Sequence, residues 1–252
     1  MKKPTIEEYL SLPTGNIPLK KYLTAQQLAV IRAILPRKPP SLHLVTGSRC
    51  GGRSTALAIA SILHVMHGDG NALAVASDIR HCNVVVRYTI EQWIHALSPN
   101  PCEWTVQCHP TLAFTYKKTG ATIYVESMKS LYRITDPYYF YVKLRKVGFI
   151  WFEDLESFDF PMRVPAMFDT RLLPCKVAVN YQVQSWRDNV HKAVSMLKPR
   201  ATSCHTLMIC PRFASHPAIY QEIRRIEAAR RQMLKASNFY KKFGTDLERI
   251  IR

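Results

Sequence analysis

Two short stretches carry the residues best suited to chemistry. Gly47-Ser48-Arg49-Cys50-Gly51-Gly52-Arg53-Ser54 fits the phosphate-loop pattern G-x-x-x-x-G-K-[ST], with Arg53 standing where lysine is expected. Glycines in such a turn let successive backbone N–H groups point inward around a phosphate. The helix that follows, expected from Ser54, aims its positive end at the same anion. The hydroxyl after the basic residue can ligate Mg2+, which assigns that role to Ser54. The second stretch is Val147-Gly148-Phe149-Ile150-Trp151-Phe152-Glu153-Asp154-Leu155-Glu156, an apolar run ending in carboxylates. It reads as a buried strand that delivers acids to its C-terminal end, where open parallel sheets bind ligands. By order, Glu153 takes the metal role and Asp154 orients and activates the attacking water. An acidic turn after a core strand is common by itself. Its position about 100 residues after a phosphate loop, in the order the chemistry needs, makes the pair informative.

Other candidates are weaker. Asn180, closing the run Cys175-Lys176-Val177-Ala178-Val179-Asn180, is either a sensor of the γ-phosphate or a turn former. Gln26 or Gln27, just upstream of the loop, can read an adenine edge or simply occupy a polar helix position. Arg80 and Arg87 can touch phosphate or lie solvated on the surface. Over residues 127–146, Lys129, Arg133, Lys143, Arg145 and Lys146 mix with Tyr132, Tyr138, Tyr139 and Tyr141. That mixture suits a nucleic-acid backbone and exposed bases, or a packed tyrosine cluster with a basic rim. A basic helix is expected over 217–235, with Arg224, Arg225, Arg230, Arg231 and Lys235 as a solvated face or a polyanion contact.

The elements that must position these residues alternate. A helix is expected over 24–35, stopped by Pro36 to Pro40, followed by strand 42–47, helix 54–66, strand 71–77 and helix 82–97. Strands joined by helices imply a mostly parallel sheet with right-handed crossovers. Residues 104–126 read instead as an antiparallel insert, turning at Lys117 to Gly120. Leu207-Met208-Ile209-Cys210 reads as a last strand. The expected fold is therefore α/β, a mostly parallel sheet sandwiched by helices. Its expected division is an N-terminal helical segment (1–40), a phosphate-loop core (41–215) and a C-terminal basic helical segment (216–252).

The chain has 252 residues and a formal net charge of +17, with a pI near 9.7. Such an excess favours a polyanionic partner, nucleic acid first and an anionic membrane surface second. Its seven cysteines form no C-x-x-C pair and leave an odd number, which suits reduced thiols rather than a disulfide framework. Neither Cys204-His205 with Cys210 nor Cys108-His109 with Cys102 has the paired spacing of a structural zinc site. No apolar run approaches a membrane span and no signal-type segment follows Met1, so an intracellular protein off the membrane is expected.

With these residues in hand, the chain resembles the ATPase domain of the large terminase subunit of tailed bacteriophages. That family reads Y-G-S-R-G-S-G-K-S at the phosphate loop and W-I-E-E-A at the acidic strand. Thr46 to Ser54 and Trp151-Phe152-Glu153-Asp154-Leu155 are the counterparts here. Thr119 to Val125 echoes the family's T-G-S-x-I-x-F strand, and Val179-Asn180-Tyr181 stands where the family has F-N-P. The resemblance implies a RecA-like ATPase of the ASCE class that uses ATP and Mg2+ to translocate double-stranded DNA into a procapsid. It implies a homo-oligomeric ring on the portal vertex, a small terminase subunit as partner, a trans-acting arginine (Arg80 is the candidate) and the cytoplasm of an infected host cell. It also implies nucleotide contacts from Gly47, Ser48, Arg49, Cys50, Gly51, Gly52, Arg53, Ser54 and Thr55. The family's nuclease domain is expected to be absent, or to be a separate chain.

Two departures bear on activity. Arg53 replaces the loop lysine with a bulkier, planar cation, and Arg49 can add charge near the phosphates. Asp154 shortens the usual glutamate base by one methylene, and a misplacement of about 1 Å can lower a rate on the order of 100-fold. The alternatives are a catalytically degenerate phosphate-loop module that grips nucleic acid, or another phosphate-loop DNA motor such as a helicase.

Overall fold

Strands with apolar residues at every position must lie in a sheet covered on both faces, and the central strands of this chain do. The computed structural model describes residues 5–11, 13–14, 17–36, 38–47, 51–98, 100–108, 111–133, 147–169, 175–182 and 188–208. A two-stranded ribbon, β1 (Pro13–Thr14) with β2 (Ile17–Pro18), precedes the main sheet. That sheet comprises β3 (Ser41–Gly47), β4 (Asn71–Ala76), β5 (Trp104–Gln107), β6 (Leu112–Tyr116), β7 (Thr122–Ser127), β8 (Val147–Phe152), β9 (Lys176–Gln182) and β10 (Ser203–Leu207). The helices are α1 (Ile6–Leu10), α2 (Ala25–Ile34), α3 (Arg53–His67), the single turn α4 (Ile79–His81), α5 (Arg87–Leu97), α6 (Met128–Arg133), α7 (Arg163–Asp169) and α8 (Asp188–Leu197). A π-helical segment, Cys82–Val86, joins α4 to α5.

The eight strands run in the order β10-β3-β9-β8-β4-β7-β6-β5. Pairing is parallel from β10 through β7 and antiparallel for β7–β6 and β6–β5. The expected antiparallel region thus continues the main sheet, because β7 hydrogen-bonds to β4 on its other side. Although β3 and β4 are consecutive through α3, both β9 and β8 lie between them.

Period-two alternation divides the apolar residues between two cores. Ala72, Ala74, Ala76, Phe149, Trp151 and Ala178 pack on one face with α2, α3 and α5. Leu73, Val75, Ile150, Phe152, Val177 and Val179 pack on the other, with Val164 of α7 and Val190, Ala193 and Leu197 of α8. Alanines dominate the side of β4 that faces α3. The helix is itself buried at every position from Ala56 through Val65, as its nearly continuous apolar sequence requires.

The last described strand departs from the sequence reading. It spans Ser203–Leu207, earlier than the apolar run 207–210 suggests. At the edge of the sheet formed by the described residues, β10 has exposed Cys204 and Thr206, so it lacks the continuous apolar signal of the central strands. The basic segment expected at 216–252, including the helix at 217–235, lies outside the described residues. So do Tyr138, Tyr139, Tyr141, Lys143, Arg145 and Lys146; Lys129, by contrast, pairs with Asp159 at 3.3 Å.

Candidate nucleotide-binding site

The phosphate-loop turn begins where β3 meets the backbone of β10. At Gly47, φ is 153° and a Cβ would sit 1.9 Å from the Leu207 carbonyl oxygen, so only glycine fits. Ser48, Arg49 and Cys50 lie outside the described residues. Gly52, with φ at 77°, is the left-handed residue from which α3 starts. A Cβ there would lie 2.1 Å from Gln27 Nε2. Gln27 is buried because it serves two ends at once. Its Oε1 accepts the Thr24 N–H (2.9 Å) in a capping box at the start of α2, and its Nε2 donates to the Gly52 carbonyl (3.1 Å). Gln26 Oε1 accepts the Met208 N–H at 2.8 Å. Both glutamines therefore hold the chain around the loop.

Arg53 is the first residue of α3 and is buried, with Nη1 lacking a hydrogen-bond partner among the described residues. Ser54 and Thr55 follow it, half-buried. Across the sheet, the Glu153 N–H donates to the Val75 carbonyl at 2.8 Å, extending the ladder of β8 by one residue. Asp154 then takes φ 56° and ψ 72° and is the one non-glycine residue with positive φ among the described residues. Strained backbone of this kind concentrates at functional sites. Its carbonyl accepts both the N–H and the hydroxyl of Ser157 (2.8 and 2.7 Å), closing a one-turn 3-10 helix over Leu155–Ser157.

Strand β9 brings the two stretches together. It lies between β3 and β8, pairing Asn180 with Val45 and Val179 with Phe152. The Ser54 hydroxyl donates to Glu153 Oε1, and Asn180 Nδ2 donates to Glu153 Oε2 at 2.9 Å. Glu153 is 3% exposed, and burial pushes its carboxyl up to about 7 against the opposing effect of these two donors and of Arg53. Asp154 Oδ1 and Asn180 Oδ1 are likewise buried with no hydrogen-bond partner among the described residues. Buried polar atoms are normally satisfied, so Arg53, Asp154 and Asn180 present a donor and two acceptors to whatever completes the site.

Glu156 reads in the sequence only as the end of the acidic run, yet it is part of the cluster. It accepts the Gln182 N–H at the end of β9. Burial first, then Asp154, pushes Glu156 up to about 7. Arg80 stays apart from this cluster, exposed on α4. Arg87 pairs with Glu91 at 2.8 Å on α5. Cys204 and His205 are successive residues of edge strand β10, with the His205 ring bonded to the Ser203 hydroxyl (2.9 Å). His109 and Cys210 lie outside the described residues. Among the described residues no three His, Cys, Asp or Glu side chains converge as a metal site, and no helix is long and apolar enough to cross a membrane.

No protein-family model matches the chain, and no curated protein matches it in sequence. Solved structures do. The large terminase of a thermophilic bacteriophage, in complex with ADP, superposes with a TM-score of 0.51 at 14% identity, over 74% of this chain and 45% of that one. The large-terminase ATPase domain of Thermus phage P74-26 gives 0.45 at 12% identity, over 92% and 94% of the two chains. The UvsW helicase of bacteriophage T4 gives 0.46 at 10% identity, over 81% and 68%. The fold assignment rests on the ADP-bound terminase, and this chain spans less than half the length of that protein. The described part of the chain has the mostly parallel, RecA-like α/β fold found in that large terminase.

Proposed function

We propose that this chain is the ATPase domain of a viral genome-packaging motor, hydrolysing ATP to move double-stranded DNA into a procapsid. The observation that carries the reading is Glu153, whose carboxyl is held at once by Ser54 at the phosphate loop and by Asn180 of β9. That contact joins residues 99 apart in sequence and sets the metal-side hydroxyl against the carboxylate of the acidic strand. Hydroxyl and carboxylate oxygens are the donors Mg2+ takes, so Ser54 and Glu153 fit it and would hold it. When bound with ATP, Mg2+ supplies charge neutralisation on the phosphates. The N–H groups of residues 48–54 and Arg53 hold the β- and γ-phosphates. Asp154, with its unpaired Oδ1, orients the attacking water and accepts its proton. Asn180 couples loss of the γ-phosphate to movement of the basic surface.

The ADP bound by the thermophilic-phage terminase supports a nucleotide in this fold, and the +17 charge supports a DNA partner. A homo-oligomeric ring, the portal of the procapsid and a small terminase subunit complete the assembly, with Arg80 of a neighbouring subunit as the trans arginine. The test is ATP turnover by Glu153→Ala and Asp154→Asn. Both should lose it, and unchanged turnover in the pair would remove the assignment.

The two departures, Arg53 and Asp154, favour a second reading: a degenerate phosphate-loop module that binds nucleic acid through its charge. Full DNA affinity with no turnover in the parent, and turnover restored by Arg53→Lys, would identify an intact scaffold with a disabled loop. Strand unwinding by the isolated chain would instead indicate a helicase.

A further inference from the structure

Apolar side chains left in water usually stand singly on a protein surface. Of the nine large ones exposed among the described residues, four fall within the ten positions 79–88: Ile79 (64%), Val84 (63%), Tyr88 (51%) and Val85 (37%). The backbone puts them there. Between Cys82 and Val86 the chain winds as a π-helix, in which the Arg87 N–H donates to the Cys82 carbonyl five residues back. The wider turn carries an extra residue. The stripe Cys82, Val86, Ile90, Ile94 and Leu97 therefore stays buried, while Val84 and Val85 are left exposed. Turns of this kind are frequent at functional sites. Neighbouring polar groups are already occupied: Asp78 Oδ1 accepts the His81 N–H (2.9 Å) at the start of α4, and Arg87 pairs with Glu91. That leaves Arg80, exposed next to Ile79, to meet an anion. The strand it follows, β4, stands three places from β3, about 14 Å to the side at sheet spacing. At the opposite edge of the parallel strands, Met208 follows β10 beside Gly47. It is 50% exposed, and its N–H is held by Gln26 of α2.

We propose that the face formed by α4, the π-helical segment and the start of α5 docks on a second copy of this chain. Ile79, Val84, Val85 and Tyr88 pack there against the neighbour's edge around Met208. The docking face rests on the proposed function, in which Arg80 acts on a neighbour's nucleotide. The two surfaces lie at opposite ends of the parallel run β10-β3-β9-β8-β4, so contact between them is head-to-tail and repeats around a ring. Arg80 then arrives at the phosphates held by the neighbour's loop, a cation meeting an anion, while the apolar side chains beside it leave water. Tyrosine and arginine set among apolar residues are the composition of an interface hot spot.

Sedimentation velocity of the whole chain, with Mg2+ and a slowly hydrolysed ATP analogue, reads the self-association. The parent should associate as its concentration rises. Val84→Asp should raise the dissociation constant on the order of 10- to 100-fold, because docking would bury the new charge. Val106→Asp is the control: Val106 is 50% exposed as well, but it stands on β5, three strands beyond β4. That variant should associate as the parent does. A parent that stays monomeric, or equal loss in the two variants, would overturn the proposal. Mixing Arg80→Ala with Glu153→Ala separates the face from the reading on which it rests. The first chain keeps an intact site and the second an intact arginine, so the mixture should regain turnover that neither shows alone. Val84→Asp added to the Glu153→Ala chain should abolish that gain, and a gain that survives it would place the contact elsewhere and overturn the face. Association lost in Val84→Asp, with no gain on mixing, would keep the docking face and remove Arg80 from its trans role.

Discussion

The same three elements, α3, β8 and β9, build a buried polar cluster at each end of the sheet, and the two clusters differ in backbone strain and in charge. At the C-terminal end Arg53 opens α3, Glu153 follows β8 and Asn180 lies in β9, with unpaired atoms on Arg53, Asp154 and Asn180 among the described residues. At the N-terminal end His64 lies near the close of α3, Gly148 near the start of β8 and Lys176 at the start of β9. Lys176 Nζ donates to the Leu35 carbonyl at 2.6 Å, capping α2 from below. The His64 ring packs against Phe149 at 5.9 Å between centroids, and burial, with Lys176 nearby, lowers its pKa to about 4. A Cβ on Gly148 would fall 2.8 Å from both the Asp69 carbonyl and His64 Nε2. Both His64 ring nitrogens are also buried without a hydrogen-bond partner among the described residues, so unpaired atoms occur at both ends. The C-terminal cluster keeps a strained residue, adjacent acids and unpaired acceptors, an arrangement that costs stability and that a ligand can offset. Neither burial nor unpaired atoms mark one as functional; the left-handed Asp154 and the adjacent acids separate them.

Substitutions at the two ends should therefore have opposite signatures. Asp154→Asn should lower ATP turnover on the order of 100- to 10,000-fold with little change in the melting temperature. Glu153→Gln should stabilise the nucleotide-free chain, and the sign follows from its raised pKa. The stability linked to its proton is fully present below pH 4.5 and is lost as pH rises through about 7. At pH 8 the neutral amide should then gain roughly 3 kcal/mol, or about 6 °C, and at pH 4 almost nothing, in thermal unfolding scans.

At the other end, Gly148→Ala should destabilise by about 1–3 kcal/mol at either pH, because backbone and a buried ring both stand where the methyl would go. Lys176→Met should give the smallest effect, a loss of about 1–2 kcal/mol from the uncapped Leu35 carbonyl, with ATP turnover per folded molecule unchanged. A stabilising Lys176→Met, or a Glu153→Gln that lowers the melting temperature at pH 8, would erase the distinction between the clusters.

How much of this was legible in sequence follows the range of each signal. The glycine-rich stretch 47–54 and the acidic strand each complete their pattern within about ten residues, so both patterns are visible in the sequence itself. The crossovers followed from alternating strand and helix patterns. Strand order did not, because nothing local says that β9 slips between β3 and β8, which is what delivers Asn180 to Glu153. Gln27 stands three residues after Thr24, a visible capping box, but its second bond reaches Gly52 25 residues later. Glu156 ends the acidic run, while its backbone partner Gln182 lies 26 residues on. Strand β10 was displaced by a few residues because an edge strand with one open face carries polar residues that an apolar-run criterion passes over.

Steady-state ATP hydrolysis by the purified chain, measured with and without duplex DNA, tests the central claim most directly. The account predicts Mg2+-dependent turnover that rises when duplex DNA is added. Tight DNA binding with no turnover, in the parent and in Arg53→Lys alike, would contradict it and leave a binding module built on a motor fold.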